Sequence, residues 1–553
     1  MLISVDKLKL LYSQAQEYKG NVRDSLNETY KYTDPFFEIK DSGKKEKSER
    51  RKVDSTTLVS IRFLVNFIMT SMFSRSGTWA MLKVNKAAYS EIFGDEGEIT
   101  EGSINGINKS MEKNSETVYQ TNENTNYYTE TAKALKDCCV VGTGVRKTVE
   151  LKSTTKPFTY EYINLDNFYF LEDSFGQPTV TFKVYPEKTL AQLNDMFGHI
   201  DGWKAPSQLE DEEDLKKTIN VIECCIPEFN EDNSVTSYIH VVYTDGFDEL
   251  LVEEVLKRNP FRVFRFAVDS SNPWGIGIGR ENIDLFKDLE TFKKTRSEHA
   301  EKIVDPPGNF KGNIDLIYKA SFEAGARNYA GDGLSAENDM GYQPINIGGS
   351  LIPLDQDIQD CRQRIREIFM AQPLGDVIDT KNRTATEMSI RHEMFRKEFS
   401  GAYELLNTEL LQYTFLDAYI IMQEKGLLDN TLENEDDNKG YKYLEFSQIN
   451  YINELTKSAG AEEVMNVVNW YGVNAQLVPE ERRQYLLKIG EFTKWSAEKM
   501  MIPLEVINTP DEINAMIAQQ QQIEQLQALS QVQSEPLQGQ VERVAGTLGG
   551  GKS

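Results

Sequence analysis

Residues 5 to 30 place their apolar positions at a helical period while staying polar in composition, and Pro35 in "YKYTDPFF" predicts where that helix ends. The basic run "KKEKSERRK" (44 to 52) reads as an exposed loop. Residues 55 to 74 form a much more apolar helix, and "TWAMLKV" after it reads as a strand. A third helical stretch, roughly 103 to 140, runs into "VVGTGVRKTVEL", where Gly142 and Gly144 predict a turn into a strand.

From about 145 to 268 the pattern shortens to "PFTYEYINL", "PTVTFKVY", "NVIECCI", "VTSYIHVVYT" and "FRVFRFAV", each bounded by Pro, Gly, Asp or Asn. This is a β-rich layer, interrupted by one helix, "KTLAQLNDMFG" (188 to 198). In "NPWGIGIGRENIDLFKDLETFKKTRSEHAEKIVDPPG" (272 to 308) the glycines predict a sharp turn into a helix that begins near Glu281 and stops at Pro306 and Pro307. Residues 305 to 354 are rich in Gly and Pro. They give way to "DQDIQDCRQRIREIFMAQPL", whose Ile358, Cys361, Ile365 and Ile368 make one apolar stripe. Two amphipathic helices therefore bracket an irregular insert.

"GDVIDTKNR" (375 to 383) reads as a loop, and Thr384 to Glu387 match the capping box, in which a threonine hydroxyl and a glutamate three residues on satisfy orphan backbone amides. The helix they start is predicted to run about 41 residues to Lys425, with Gly426 as its stop. Met388, Phe395, Phe399, Ala402, Leu406, Leu410 and Tyr413 imply burial along most of it. An acidic linker, "DNTLENEDDNKG" (429 to 440), precedes a second helical region, about 453 to 530, that turns Gln-rich before a glycine tail expected to be mobile. The order of elements is α+β.

Composition narrows the function. The 553 residues carry 61 Lys+Arg against 87 Asp+Glu, a net −26 that opposes general affinity for nucleic acid, so any DNA contact has to be local or weak. The five cysteines include two adjacent pairs, Cys138-Cys139 and Cys224-Cys225, and sequence neighbours seldom meet disulfide geometry, which reads as a reducing compartment. The four histidines stand at no metal-ligand spacing from a cysteine, so no metal is expected. The opening residues are too polar for a signal peptide. "LVSIRFLVNFIMTSMF" (58 to 73), short and carrying Arg62 and Asn66, reads as a buried helix of a soluble chain with no membrane partner.

Two motifs fail on mechanism. "GTLGGGKS" (546 to 553) spells a phosphate-binding loop, but no helix follows to supply the amides that cradle phosphate. "GIGIG" has Arg280 at the third glycine position of a dinucleotide turn and lacks the βαβ unit around it. There is no G-x-S-x-G, no H-E-x-x-H and no Cys/His pairing, so neither an enzyme nor a cofactor is expected.

Four segments in order carry a resemblance: "CCVVGTGVRKTV", "PWGIGIGRENIDLFKDLETFKKTRSEHAEKIVDPP", "NRTATEMSIRHEMFRKEFSGAYELLNTELL" and "IPLEVINTPDEINAM". Through them the chain resembles the portal proteins, or head-to-tail connectors, of short-tailed bacteriophages of the T7-like type, from about residue 55 to 515. It departs from that pattern near residue 75, where "SRSGTWAMLKV" lacks a proline-aromatic turn, and beyond about 530. The resemblance implies the phage portal fold, mainly helical with a β-rich wing layer, assembled as a ring of typically twelve subunits. Residues 1–280 would be the wing, 281–303 and 355–372 the stem helices, and 304–354 the clip. Residues 373–384 would be the tunnel loop, 385–428 the long wing helix, 429–530 the crown and 531–553 a flexible tail. Gly277, Gly279 and Arg280 would start the stem, and Pro306 and Pro307 would release the chain into the clip.

The same resemblance implies a virion protein at one capsid vertex, assembled in the host cytoplasm. Double-stranded DNA would pass through its channel during packaging and ejection. Its partners would be other copies of itself, the terminase motor, the tail adaptor, and the major capsid and scaffolding proteins. A channel that moves DNA should not grip it, and net acidity keeps the duplex off the wall. Lys381 and Arg383 in the tunnel loop are the first candidates for DNA contact. Lys293, Lys294, Arg296, Arg362, Arg364 and Arg366 on the stem helices follow, either facing the channel or bridging subunits. The alternative is another acidic phage structural protein, such as a tail adaptor or an internal core protein.

Overall fold

In a computed structural model of the chain, the polar opening segment forms α1 (Val5–Thr33), which buries Leu8, Ala15, Val22, Leu26 and Tyr30 along one face. The structure describes residues 3–34, 54–73, 77–84, 101–200, 202–209, 217–230, 235–246, 249–310, 321–329, 342–345, 350–371, 399–428, 447–451, 454–479, 486–500, 502, 516, 518–520 and 523. They belong to two units, one built from residues 1–81 and 114–440, the other from 82–113 and 441–553.

In the first unit the apolar segment is α2 (Ser55–Met72). By length and composition α2 would suffice to cross a membrane, and half of it is buried inside the molecule. Its N-cap is Asp54, whose carboxylate accepts from Thr56 N at 2.8 Å. The helix expected over 103 to 140 is two helices, α3 (Glu101–Glu123) and α4 (Tyr127–Val141). The break has a cause: the Asn126 side chain leaves the helical ladder to accept from Tyr160 N (2.9 Å) and donate to Tyr160 O (2.7 Å).

Of the two glycines expected to turn, only Gly142 is left-handed (φ 104°), closing α4 as its C-cap, while Gly144 lies inside β2 (Thr143–Glu150). The alternating segments become β3 (Phe158–Tyr162), β4 (Phe168–Glu172), β5 (Pro178–Lys188), β6 (Ile219–Phe229), β7 (Val235–Thr244), β8 (Leu250–Leu256) and β9 (Phe261–Arg265), with α5 (Leu190–Phe197) between β5 and β6. Both β4 and β8 lie in stretches that the alternation had not marked as strands. The strands make two antiparallel sheets, one in the order β4-β5-β6-β7-β8 and one in the order β3-β2-β9.

Strand alternation sorts β6 by face. Ile222, Cys224 and Ile226 pack under Leu8 and Ala15 of α1, whereas Glu223 points to the other side and meets Lys147 of β2. Cys224 and Cys225 therefore face opposite ways, and all five cysteines are free and buried. α1 is further fastened by Lys19, whose Nζ donates to Leu165 O (2.7 Å) and Asp166 O (2.6 Å) above the Tyr169 ring. Burial pushes this ammonium down to about 7.

The segment predicted as a glycine turn and helix is a short α6 (Ile278–Glu281) followed by α7 (Ile283–Val304). A small three-stranded sheet follows: β10 (Gly308–Phe310) pairs in parallel with β11 (Arg327–Tyr329) and antiparallel with β12 (Tyr342–Pro344). Then comes α8 (Ile352–Ile368), with Ile358, Cys361 and Ile365 of the predicted stripe buried and Ile368 half-buried. It closes on Met370, whose φ of 53° is left-handed, with Ala371 N returning to Arg366 O.

The long helix is described from 399 to 424 (α9) and ends at Gly426 (φ 65°), the predicted stop. Its turn Asn407–Leu411 is a π-helix.

β13 (Ser447–Tyr451) pairs with β1 (Ala80–Val84), and in the second unit α10 (Glu454–Leu477) packs with α11 (Ile489–Lys499). The crossing is close at Gly460, where a side chain would collide with the Lys499 carbonyl. Glu463 and Lys499 close it with an ion pair at 2.5 Å.

Candidate functional site

The candidate site is the antiparallel pair α7 and α8, because most of the basic residues singled out by sequence lie on it. What starts the pair is a backbone seat. Gly142 at the end of α4 lies directly against Gly275 and Gly277, so a methyl group at any of the three would strike backbone atoms. Ile276 N donates to Ala267 O (2.8 Å), Gly275 N to Thr143 Oγ1 (2.9 Å) and Phe266 N to Gly142 O (3.0 Å). Gly275, Gly277 and Gly279 are thus required by close approach and not by a left-handed φ, which none of them has. Gly279 meets the Val140 carbonyl, 2.7 Å from where its Cβ would stand. Arg280 donates from Nε to Ser25 Oγ (3.0 Å) and from Nη1 to Gly275 O (3.1 Å), so it staples α1 to this turn.

Along the pair, Phe286 packs on Phe369 at one end, and Arg296 pairs with Asp355 toward the other. Between them sits a junction that sequence reasoning missed. Asp54, the N-cap of α2, accepts from Lys293 Nζ of α7 (2.8 Å) and Arg362 Nη2 of α8 (3.1 Å). Its side chain is buried, which by itself would raise its pKa, but hydrogen bonds from Lys293, Thr56 and Arg362 hold it well below the usual carboxylate range. One carboxylate therefore ties three helices. A lone acid preceding an apolar helix was its signal in the sequence, and that signal reads only as a cap.

Of the six stem candidates, Lys293, Arg296 and Arg362 are thus engaged within the chain. Lys294 is 77% exposed and reaches only Glu298, at 4.0 Å. Arg364 is exposed, Arg366 half-buried, and neither has an ion pair among the described residues. Pro306 and Pro307 follow the end of α7, and Pro307 O accepts from Ile345 N (2.8 Å), so the second proline opens the pairing of β10 with β12. Lys381, Arg383, Thr384 and Glu387 lie outside the described residues. The flanks of their segment, Met370 and Phe399, line a cavity of about 810 Å3 together with Phe266, Ile278, Arg265 and Glu409.

Three buried arginines hold α9 to the β2 and β9 strands. Arg146 donates to Thr131 Oγ1 (2.7 Å) and Thr414 Oγ1 (2.6 Å). Arg262 donates to both oxygens of Asp417, from Nε at 2.8 Å and from Nη2 at 2.5 Å. In the π turn Glu409 accepts from Arg265 N (2.8 Å) and from its guanidinium, which also meets Glu172.

Replacing Asp54 with alanine should cost about 2–3 kcal/mol, roughly 1 for the lost cap and the rest for two cations left short of a partner. The pH dependence has a definite sign. A depressed carboxyl contributes stability above its ordinary 3.8 and loses it as pH falls, so urea midpoints of wild type and variant should converge in acid.

A family model of the bacteriophage head-to-tail connecting protein matches residues 5–507. The chain belongs to that family. Comparison with the curated proteins finds no match. Membership makes the chain a head-to-tail connector located at the capsid portal of the virion, in contact with capsid and tail components.

Proposed function

We propose that the chain is a portal subunit that assembles, typically as twelve copies, into a ring whose axis carries double-stranded DNA into the head during packaging and out during ejection. What carries this reading is the family match over residues 5–507 together with the α7/α8 pair, two antiparallel helices joined through a small separate sheet. The pair would line the channel as the stem. The β10–β12 module would be the clip that docks the terminase and later the tail adaptor, as in a short-tailed phage. The unit containing α10 and α11 would contribute the crown, and capsid and scaffolding proteins would meet the wing during assembly in the host cytoplasm. No catalytic step is assigned to the chain.

The charge fits transport. Copies at −26 each repel the duplex, and the stem keeps few free cations because three of its six candidates are spent on internal pairs. That leaves Lys294, Arg364 and Arg366 on the helices, and Lys381 and Arg383 in the proposed tunnel loop, to centre the DNA. Changing Lys381 and Arg383 to alanine should lower the DNA packaged or retained per head while rings assemble as before. Heads with unchanged DNA content would refute the assignment. An end-on electron-microscopy average of the purified protein, with a mass near twelve times 63.1 kDa, tests the ring itself.

A further inference from the structure

The chain is 27% charged, yet residues 464–478, "VMNVVNWYGVNAQLV", contain no charged side chain at all. All but Val478 lie in the second half of α10. One flank of this helix is spoken for: Gly460 lies against Lys499 of α11, and Val464 one turn on is buried, as is Ala497 of α11. The rest is open. Met465 is 56% exposed, Val468 44%, Trp470 50% and Val473 62%. At 100° per residue these four span about 200° of the helix circumference with Asn466 and Asn469 between them, so the open side of α10 is uncharged and carries apolar side chains on more than one side, a pattern that belongs to helices covered on several sides.

Charge says what covers it. Two copies of a chain at −26 repel each other across most of their surface, and a strip free of carboxylates is where identical chains can approach at the least electrostatic cost. An exposed tryptophan among aliphatic side chains is also the composition of an interface anchor. We infer that the uncharged strip of α10, centred on Val468, Trp470 and Val473, is a contact between neighbouring copies of this chain. The inference rests on the ring proposed above and names one of its surfaces. A closed ring uses heterologous contacts, so each α10 is flanked by different surfaces of its two neighbours, which is why a helix apolar on more than one side suits it.

The test uses the full chain. With a photo-crosslinking benzoylphenylalanine in place of Trp470, illumination should give products at multiples of 63.1 kDa on a denaturing gel. The five native cysteines, all buried, are left unchanged. In parallel, the Val468→Glu, Val473→Glu double variant should raise the protein concentration needed for assembly by at least about tenfold in native mass measurements. Cross-links confined to single chains would overturn the inference and assign the strip to another part of the same molecule. A double variant that assembles at the wild-type concentration would also overturn it, leaving the ring intact. A wild-type protein that stays at 63.1 kDa at every concentration would remove both the ring and this contact. Where the double variant loses its helical signal, the cross-link alone decides.

Discussion

Changing Asp417 to alanine should destabilise the protein by about 3–5 kcal/mol, because Arg262 would keep its buried position and lose the carboxylate that binds it through two hydrogen bonds. The reason is the asymmetry of buried charge. A satisfied pair adds little over an apolar pair of the same shape, while half a pair leaves a guanidinium in a place it cannot be solvated. Replacing both partners, Arg262→Met with Asp417→Leu, should therefore recover most of what the single change loses. Urea unfolding of the three variants decides it; a single variant within about 1 kcal/mol of wild type would show that water reaches Arg262.

A comparable loss, about 3–5 kcal/mol, should follow Glu223→Ala. This carboxylate lies on the face of β6 away from α1 and accepts from Lys147 Nζ (2.6 and 2.8 Å), Tyr185 Oη (2.7 Å) and the His240 ring (2.9 Å). His240 also meets Glu254 (2.8 Å), and beside them Lys183 of β5 pairs with Glu161 of β3 (2.7 Å). The cluster thus bolts the five-stranded sheet to the three-stranded one.

Its two titrating members act in opposite directions. Burial works against both charged forms, yet Lys147 and His240 hold Glu223 well below its ordinary 4.5, and Glu223 with Glu254 raises His240 above 6.5. The Glu223 contribution is present above pH 4.5 and is lost in acid. The His240 contribution is present below pH 6.5 and fades as pH rises through its raised value. Their joint effect is greatest between those limits. The difference in unfolding free energy between wild type and Glu223→Ala should peak there, and a flat profile from pH 4 to 8 would rule the coupling out.

How much was legible in the residues follows from which forces are local. Gly426 as a helix stop, the Ile358, Cys361 and Ile365 stripe, and the double proline after α7 each depend on a few neighbours, and each stands where the pattern put it. The break between α3 and α4 did not show, because it depends on Asn126 reaching a strand 34 residues away. Nor did the partners of the cations on α7 and α8. Lys293 and Arg362 look like free charges on a helix until the fold brings Asp54 to them, 239 and 308 residues distant. One clue was available: "LLQYTFLDAYIIM" sets Asp417 alone in an apolar run, the mark of a charge with a buried partner.

The seat formed by Gly142, Gly275 and Gly277 bears on how the connector would respond to force. Main chain rests on main chain there, with no pliable side chain between to absorb a displacement. Were the chain the portal subunit proposed above, a load on α7 would pass at this seat from backbone to backbone onto the end of α4, as across a fulcrum.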